Sequence, residues 1–578
     1  MNISSFQFAP GRMLVLGILL QAGHAVQAAT APAAAAEAPA TPGPTSFPAR
    51  IQVDASRPLG ELQPFWRFFG ADEPNYATMR NGRKLLRELG QLRSGQVYFR
   101  AHNLLTSGDG TPALKWGSTG AYREDANGAP VYNWTILDGI VDAYLANGVK
   151  PYVQIGFMPR ELFTKLEPYQ HQWSPHARYD EIFTGWAYPP KDYTRWGELA
   201  AAWTRHWVEK YGRAEAEKWY WEVWNEANIG YWRGTAREFH KLHDFAVEGV
   251  RRALPSARVG GPDSAGHGGR WMRDFLEHCL RGTNYATGRI GTPLDFISFH
   301  AKGAPTFVDG HVRMGLANQL RTINDGFALI TSYPELKDKP IVIGESDPDG
   351  CAACQGAQLG YRNTTMYSSY TAASFAREHE LADRHGVRLE GVLTWAFEFE
   401  DQPYFAGFRA LASNGIDLPV LNVFRMFSQM SGRRLPVTSD GAVPTDELLR
   451  QGVRTQPDVS ALASLDTNKL CVLAWHYHDD DLPGPEAAVE ISLRGIPAVG
   501  REARVTHYRV DREHSNAYTV WLAMGSPAQP SAAQYSDLEK AGQLSTLPAS
   551  PALALTGGQG TLQIQLPRQA VSLLIVRW

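Results

Sequence analysis

Cysteine is scarce in this chain, with 4 in 578 residues, which excludes a small disulfide-stapled scaffold. Only Cys351 and Cys354 form a Cys-x-x-Cys pair, and neither a second pair nor suitably spaced histidines follow it, so a zinc site lacks its ligands. A charge excess is missing too. The net charge of −3 provides no basic footprint for nucleic acid and no polybasic signal for a membrane. Beyond the N-terminal segment no apolar run is long enough to span a bilayer. No glycine-rich phosphate loop follows a first strand, and no cofactor is called for. The run Asp347-Pro348-Asp349-Gly350 lacks the later ligands of a calcium loop and reads as a tight turn.

What the chain has is length and aromatic weight. At 578 residues it exceeds one compact core, so more than one domain is expected. The 17 tryptophans suit sugar rings, yet composition alone points first to a tryptophan-rich core. Arg12 precedes the apolar stretch MLVLGILLQAG, and Val26-x-Ala28 offers a small-residue cleavage point. Residues 1–28 therefore read as a signal peptide and 29–45 as an Ala/Pro-rich linker, which predicts an exported protein.

Eight apolar strands alternate with amphipathic helices between Phe65 and Phe427: WRFFGA (66–71), QVYFRAH (96–102), KPYVQIGF (150–157), WYWEVWN (219–225), ARVGGP (257–262), DFISFH (295–300), PIVIGE (340–345) and GVLTWAF (391–397). Eight parallel strands close a (β/α)8 TIM barrel, here expected over 61–430. The helical stripe Ile136, Leu137, Ile140, Val141, Tyr144 and the capping box Thr235/Glu238 read as barrel packing. Residues 431–578 show alternating strands and little helical periodicity. They predict an additional antiparallel β-sandwich, with the strand in 46–60 joining it.

Functional side chains of such a barrel lie at the C-terminal ends of its strands. That rule selects His102, Asn225 with Glu226, His300 with Lys302, and Glu345. An isolated exposed glutamate is usually just solvated. Two that each end an apolar strand must enter one pocket, and paired carboxylates suit glycoside hydrolysis: one donates a proton and one attacks the anomeric carbon.

The segment WYWEVWNEANIGYW resembles the acid/base motif of glycoside hydrolase family 39. YFRAHNLL, YNWTILDGIVDAYLANGVKPYVQIGFMP and FAGFRALASNGIDLPVLNVF are similar to further segments of that family, in order along the chain. The sandwich segment HYRVDREHSNAYTVWLAMGSP is similar as well. The resemblance implies Glu226 as acid/base, Glu345 as nucleophile, Asn225 on the sugar 2-hydroxyl, and His102 and His300 lining the terminal-sugar subsite. It implies a retaining exo-acting hydrolase of oligosaccharides, a β-xylosidase first and an α-L-iduronidase-like uronide hydrolase second. FHAKGA and ESDP look more like the iduronidase branch, in which the matching lysine meets the substrate carboxylate. Lys302 thus has two readings, an anionic subsite or an ion pair with Asp347 or Glu400. A non-catalytic carbohydrate-binding protein is the reading from another class, and the presence of both glutamates argues against it. Neither a metal nor a membrane partner is expected, and oligomeric state is not legible. In an exported protein Cys351 and Cys354 are expected to form a small-loop disulfide, with Cys279 and Cys471 as buried free thiols.

Overall fold

The structure, a computed structural model, describes residues 46–497, 501–549 and 551–578. The expected signal peptide and linker lie outside these residues. Eight parallel strands form a closed barrel: Phe68–Ala71, Val97–Ala101, Val149–Ile155, Tyr220–Val223, Arg258–Ser264, Phe296–Lys302, Ile341–Asp347 and Leu389–Thr394. Each pairs with its successor in the chain, and the eighth closes on the first through Leu393↔Phe68 and Thr394↔Phe69. The fold class is as read from the sequence.

Successive side chains of a strand face opposite ways, so every second residue enters the barrel. At the floor these are aromatic. Tyr220 has the rings of Tyr98, Tyr152 and Phe296 at 4.9, 5.2 and 5.3 Å. One step up come Arg100, Glu222 and Ser298, all fully buried, and above them the residues of the mouth.

The fourth strand ends at Val223, short of the expected Asn225. Trp224 and Glu226 adopt left-handed backbone (φ 72° and 43°), a conformation that costs of order 1 kcal/mol or more for a residue with a β-carbon. The Glu226 N–H donates to the Asp263 carbonyl at 2.9 Å, and Asn228 exchanges two hydrogen bonds with the backbone of Ala265. These bonds hold the turn against the end of the fifth strand.

Beside the barrel lie two further sheets. One orders Val437–Ser439, Ser46–Asp54, Glu486–Arg494 and Gly560–Leu566. The other is built around Asp458–Asp466, Lys469–Tyr477, Val571–Arg577 and Arg501–Val510. They enclose a second core of Ile51, Val53, Val472, Val489, Ile491, Leu574 and Val576. Two features correct the sequence reading. The sandwich is not wholly antiparallel, because Ser46–Asp54 runs parallel to Glu486–Arg494. It also carries two helices, Ala517–Ala523 and Ala532–Gly542. Asn516 caps the first, and a Ser531/Gln534 capping box starts the second, so the signals were local and polar where the surrounding pattern was strand-like.

Sandwich and barrel share a face. Tyr370, on the helix Thr365–His385, meets Tyr477 with ring centroids 5.8 Å apart. On the same helix Arg377 donates to the Asp458 carboxylate at 2.9 Å. Among the described residues no helix is long and apolar enough to cross a membrane.

Candidate active site

All six side chains selected from the sequence meet at the barrel mouth. The second strand presents Arg100 and His102 on one face by its period of two, and the sixth presents Ser298, His300 and Lys302. Glu345 enters from the seventh strand, and Asn225 and Glu226 from the turn after the fourth. The carboxylates are nearly enclosed, with side-chain exposures of 14% for Glu226 and 7% for Glu345.

His300 joins the two glutamates. Its Nδ1 lies 2.8 Å from Glu226 Oε1 and 3.8 Å from Glu345 Oε2, while Nε2 lies 2.7 Å from Asp263 Oδ2. Burial opposes a charge on His300, but Asp263 and Glu345 outweigh it and push the imidazole up to about 10. It is an imidazolium at neutral pH, and both ring nitrogens donate. His102 is its opposite. Burial holds it below the ordinary histidine range even with Asp72 beside it. Its Nδ1–H donates to Asp72 at 2.9 Å, and its bare Nε2 accepts from Arg100 at 3.3 Å.

Burial works against ionisation of Glu345. Lys302 first, then His300 and Arg100 around it, nonetheless hold its carboxyl well below the usual range. Lys302 Nζ is 2.7 Å from Glu345 Oε2 and 2.5 Å from Asp347 Oδ2. Glu400, the other expected partner of Lys302, instead accepts the Gly82 N–H at 2.7 Å. Asn225 Oδ1 accepts from Arg100 at 3.0 Å, and no partner among the described residues engages its Nδ2.

Several site residues escaped the sequence reading. Arg100 ties the layers together, donating to Glu222 at 2.8 Å and pairing with Asp263, with its guanidinium 5.2 Å from the Trp395 ring centroid. Burial first, and the charge of Asp263 second, raise Glu222 to about 7. Asp72 binds Lys115 at 2.6 Å as well as His102. The turn after Glu345 is built around Asp349, whose carboxylate takes Arg362 at 2.8 Å and Arg409 at 2.6 Å. Arg362 also gathers the carbonyls of Cys351, Ala352, Cys354 and Gly407. Cys351 and Cys354 are disulfide-bonded, and Cys279 and Cys471 are buried free thiols. Period-two reading of YFRAH would have flagged Arg100, since Tyr98, Arg100 and His102 must share a face. Among the described residues no group of three or more His, Cys, Asp or Glu is arranged to hold a metal.

Comparison with known proteins bears on the family and the fold. A β-xylosidase of Caldicellulosiruptor saccharolyticus is 25% identical over 516 residues, covering 86% of this chain and 92% of that protein. Mouse α-L-iduronidase is 26% identical over 531 residues, covering 84% and 75%. The solved structure of a monomeric β-xylosidase from Caulobacter crescentus superposes with a TM-score of 0.70 at 20% identity, covering 91% of this chain and 99% of that one, which shows the shared fold. The model of glycosyl hydrolases family 39 matches residues 49–551, and the chain belongs to that family of glycosidases.

Proposed function

We propose that this glycosidase is an exported, retaining exo-hydrolase that removes terminal xylose from β-xylosides and xylo-oligosaccharides. Glu345 attacks the anomeric carbon while Glu226 gives its proton to the departing oxygen. Glu226 then takes a proton from water, which releases the sugar and frees Glu345. Asn225 Nδ2 donates to the sugar 2-hydroxyl. The His300 contacts support retention. The nearest Glu226 and Glu345 oxygens are no further apart than the sum of their distances to Nδ1, 2.8 and 3.8 Å. That upper limit only grazes the ~6.5 Å at which inverting enzymes begin. The near-closure of both carboxylates favours a pocket over an open cleft.

The sugar rests on one observation: the cations nearest the mouth already face carboxylates. Lys302 lies between Glu345 and Asp347, Arg409 against Asp349, and Arg100 against Glu222 and Asp263. An anionic sugar would enter a site with no spare positive charge, so a neutral pentose fits better. The uronide reading keeps one observation in its favour, the 15% exposure of Lys302. Hydrolysis of aryl β-xyloside, α-L-arabinoside and α-L-iduronide, with proton NMR of the first-formed anomer, tests both. Preference for the iduronide, lost in Lys302→Ala, would overturn the xylosidase reading. An inverted first product would overturn retention.

A further inference from the structure

Asp263 ends the fifth strand fully buried, and it touches the catalytic turn twice. Its carbonyl holds the Glu226 N–H, and its Oδ2 receives both His300 Nε2–H and Arg100. Room is reserved for it: a β-carbon at Gly344, the residue before Glu345, would sit 1.8 Å from Asp263 Oδ1.

Resting on the reading of Glu226 as acid/base, we propose that Asp263 is a positioning residue for acid catalysis. By accepting from His300 Nε2 it keeps Nδ1–H aimed at Glu226 Oε1, which leaves Oε2 as the oxygen bearing the transferable proton. In the first half-reaction that proton passes from Oε2 to the glycosidic oxygen. The C1–O bond breaks with its electron pair going to that oxygen, and a Glu345 oxygen bonds to C1. In the second half, water attacks C1, Oε2 takes the water proton, and the bond to Glu345 breaks. His300 exchanges no proton in either half. The charges facing it are Asp263 from the fifth strand, Glu226 after the fourth, Glu345 on the seventh and Lys302 on its own strand, with Arg100 of the second strand behind Asp263.

Asp263→Asn isolates the effect. The oxygen at this position must still accept from Arg100, so it also keeps accepting from Nε2–H. With the carboxylate charge gone, the imidazole loses the largest of the charges that favour its second proton, and a ring that keeps only Nε2–H presents a bare Nδ1 to Glu226. A bare Nδ1 draws the Glu226 proton onto Oε1, away from the substrate. General acid assistance is worth ~10²–10⁴-fold, and only poor leaving groups need it.

The test is a series of aryl glycosides of graded leaving-group acidity, plus the corresponding disaccharide, on whichever sugar the wild type hydrolyses. Asp263→Asn is expected to lose about 100-fold on the disaccharide and under about 5-fold on the dinitrophenyl glycoside, steepening the dependence on leaving group. Equal losses across the series, or none, would overturn the proposal. If Asp263→Asn does not melt cooperatively, His300→Ala takes its place, because Asp263 then keeps Arg100 as counter-ion. The same steepening is required of it, and an unchanged slope overturns the proposal equally. Glu226→Ala with azide separates the two readings. No azide acceleration removes the acid/base reading and this proposal with it, whereas acceleration beside a wild-type slope in Asp263→Asn removes the proposal alone.

Discussion

Lys302→Met takes the cation from between two carboxylates while keeping most of the side-chain volume. The ammonium lies 2.7 Å from Glu345 and 2.5 Å from Asp347. At an effective dielectric of about 20, one charge pair at ~4 Å is worth about 4 kcal/mol, close to three pH units at ~1.36 kcal/mol each. Asp347 keeps Arg409 at 3.5 Å and the Trp395 N–H at 2.9 Å, and Glu345 keeps His300 and Arg100, so the shift is expected to be nearer two units. The sign follows from the direction at Glu345. Its folded-state carboxyl is held below the ordinary range, so it is ionised throughout the working pH of the wild type and its contribution to stability disappears only in strong acid. Without Lys302 that window moves up, and a new acid limb enters the profile of kcat/KM on a neutral xyloside. The thermal midpoint also falls earlier on acidification. A pH series of initial rates, paired with melting curves, reads both. An acid limb unchanged from wild type would refute the assignment of Lys302 as the group that keeps the nucleophile charged.

Other outcomes follow from the same charges and contacts. Glu345→Ala is expected to abolish turnover, and a wild-type rate in that variant would refute its role. Burial raises Glu378 to about 8. Its native form therefore holds a proton that the unfolded chain releases near pH ~4.3, and stability declines as pH rises from there through about 8, by at most ~1.36 kcal/mol per unit. Glu378→Gln should flatten that part of the plot of melting temperature against pH, and an unchanged slope would exclude Glu378 as its source. Arg362→Ala breaks a buried ion pair, leaving Asp349 to Arg409 alone, and takes one donor from each of four carbonyls, and should cost about 3 kcal/mol. Replacing Cys351 and Cys354 by serine opens a loop of only a few residues and should cost about 2 kcal/mol. Denaturant unfolding of the two variants ranks them, and the reverse order would show that the turn is held by the disulfide and not by Arg362.

The glutamates were legible because strand and chemistry coincide at them. Each follows an apolar run whose direction and period leave its side chain no exit but the mouth. Lys302 was legible as a position, but its partners were not, because Asp347 and Glu400 are equally acidic on paper and only the barrel register brings Asp347 beside it. Asp263 was hidden for a different reason. It lies one residue beyond the expected end of the fifth strand, ARVGGP, and its importance lies in contacts with residues 37 and 163 positions away. The Ala517–Ala523 and Ala532–Gly542 helices were masked by the strands on either side, although their caps were present. Local periodicity thus located the residues that end strands, while the partners that set their charge depend on closure of the barrel.

The parallel pairing of Ser46–Asp54 with Glu486–Arg494 has a consequence in time as well as in space. The first strand of the described chain to leave the ribosome waits for a partner made more than four hundred residues later. Its other neighbour, Val437–Ser439, is made earlier but pairs with only three of its residues, so until Glu486–Arg494 exists most of its ladder is open and the core around Ile51 and Val53 is incomplete. Contacts so distant in sequence slow folding and prolong exposure of unpaired edges. A chain with this connectivity stays incomplete while it is being synthesised, and the barrel, whose strands pair in the order they are made, is the part able to form first.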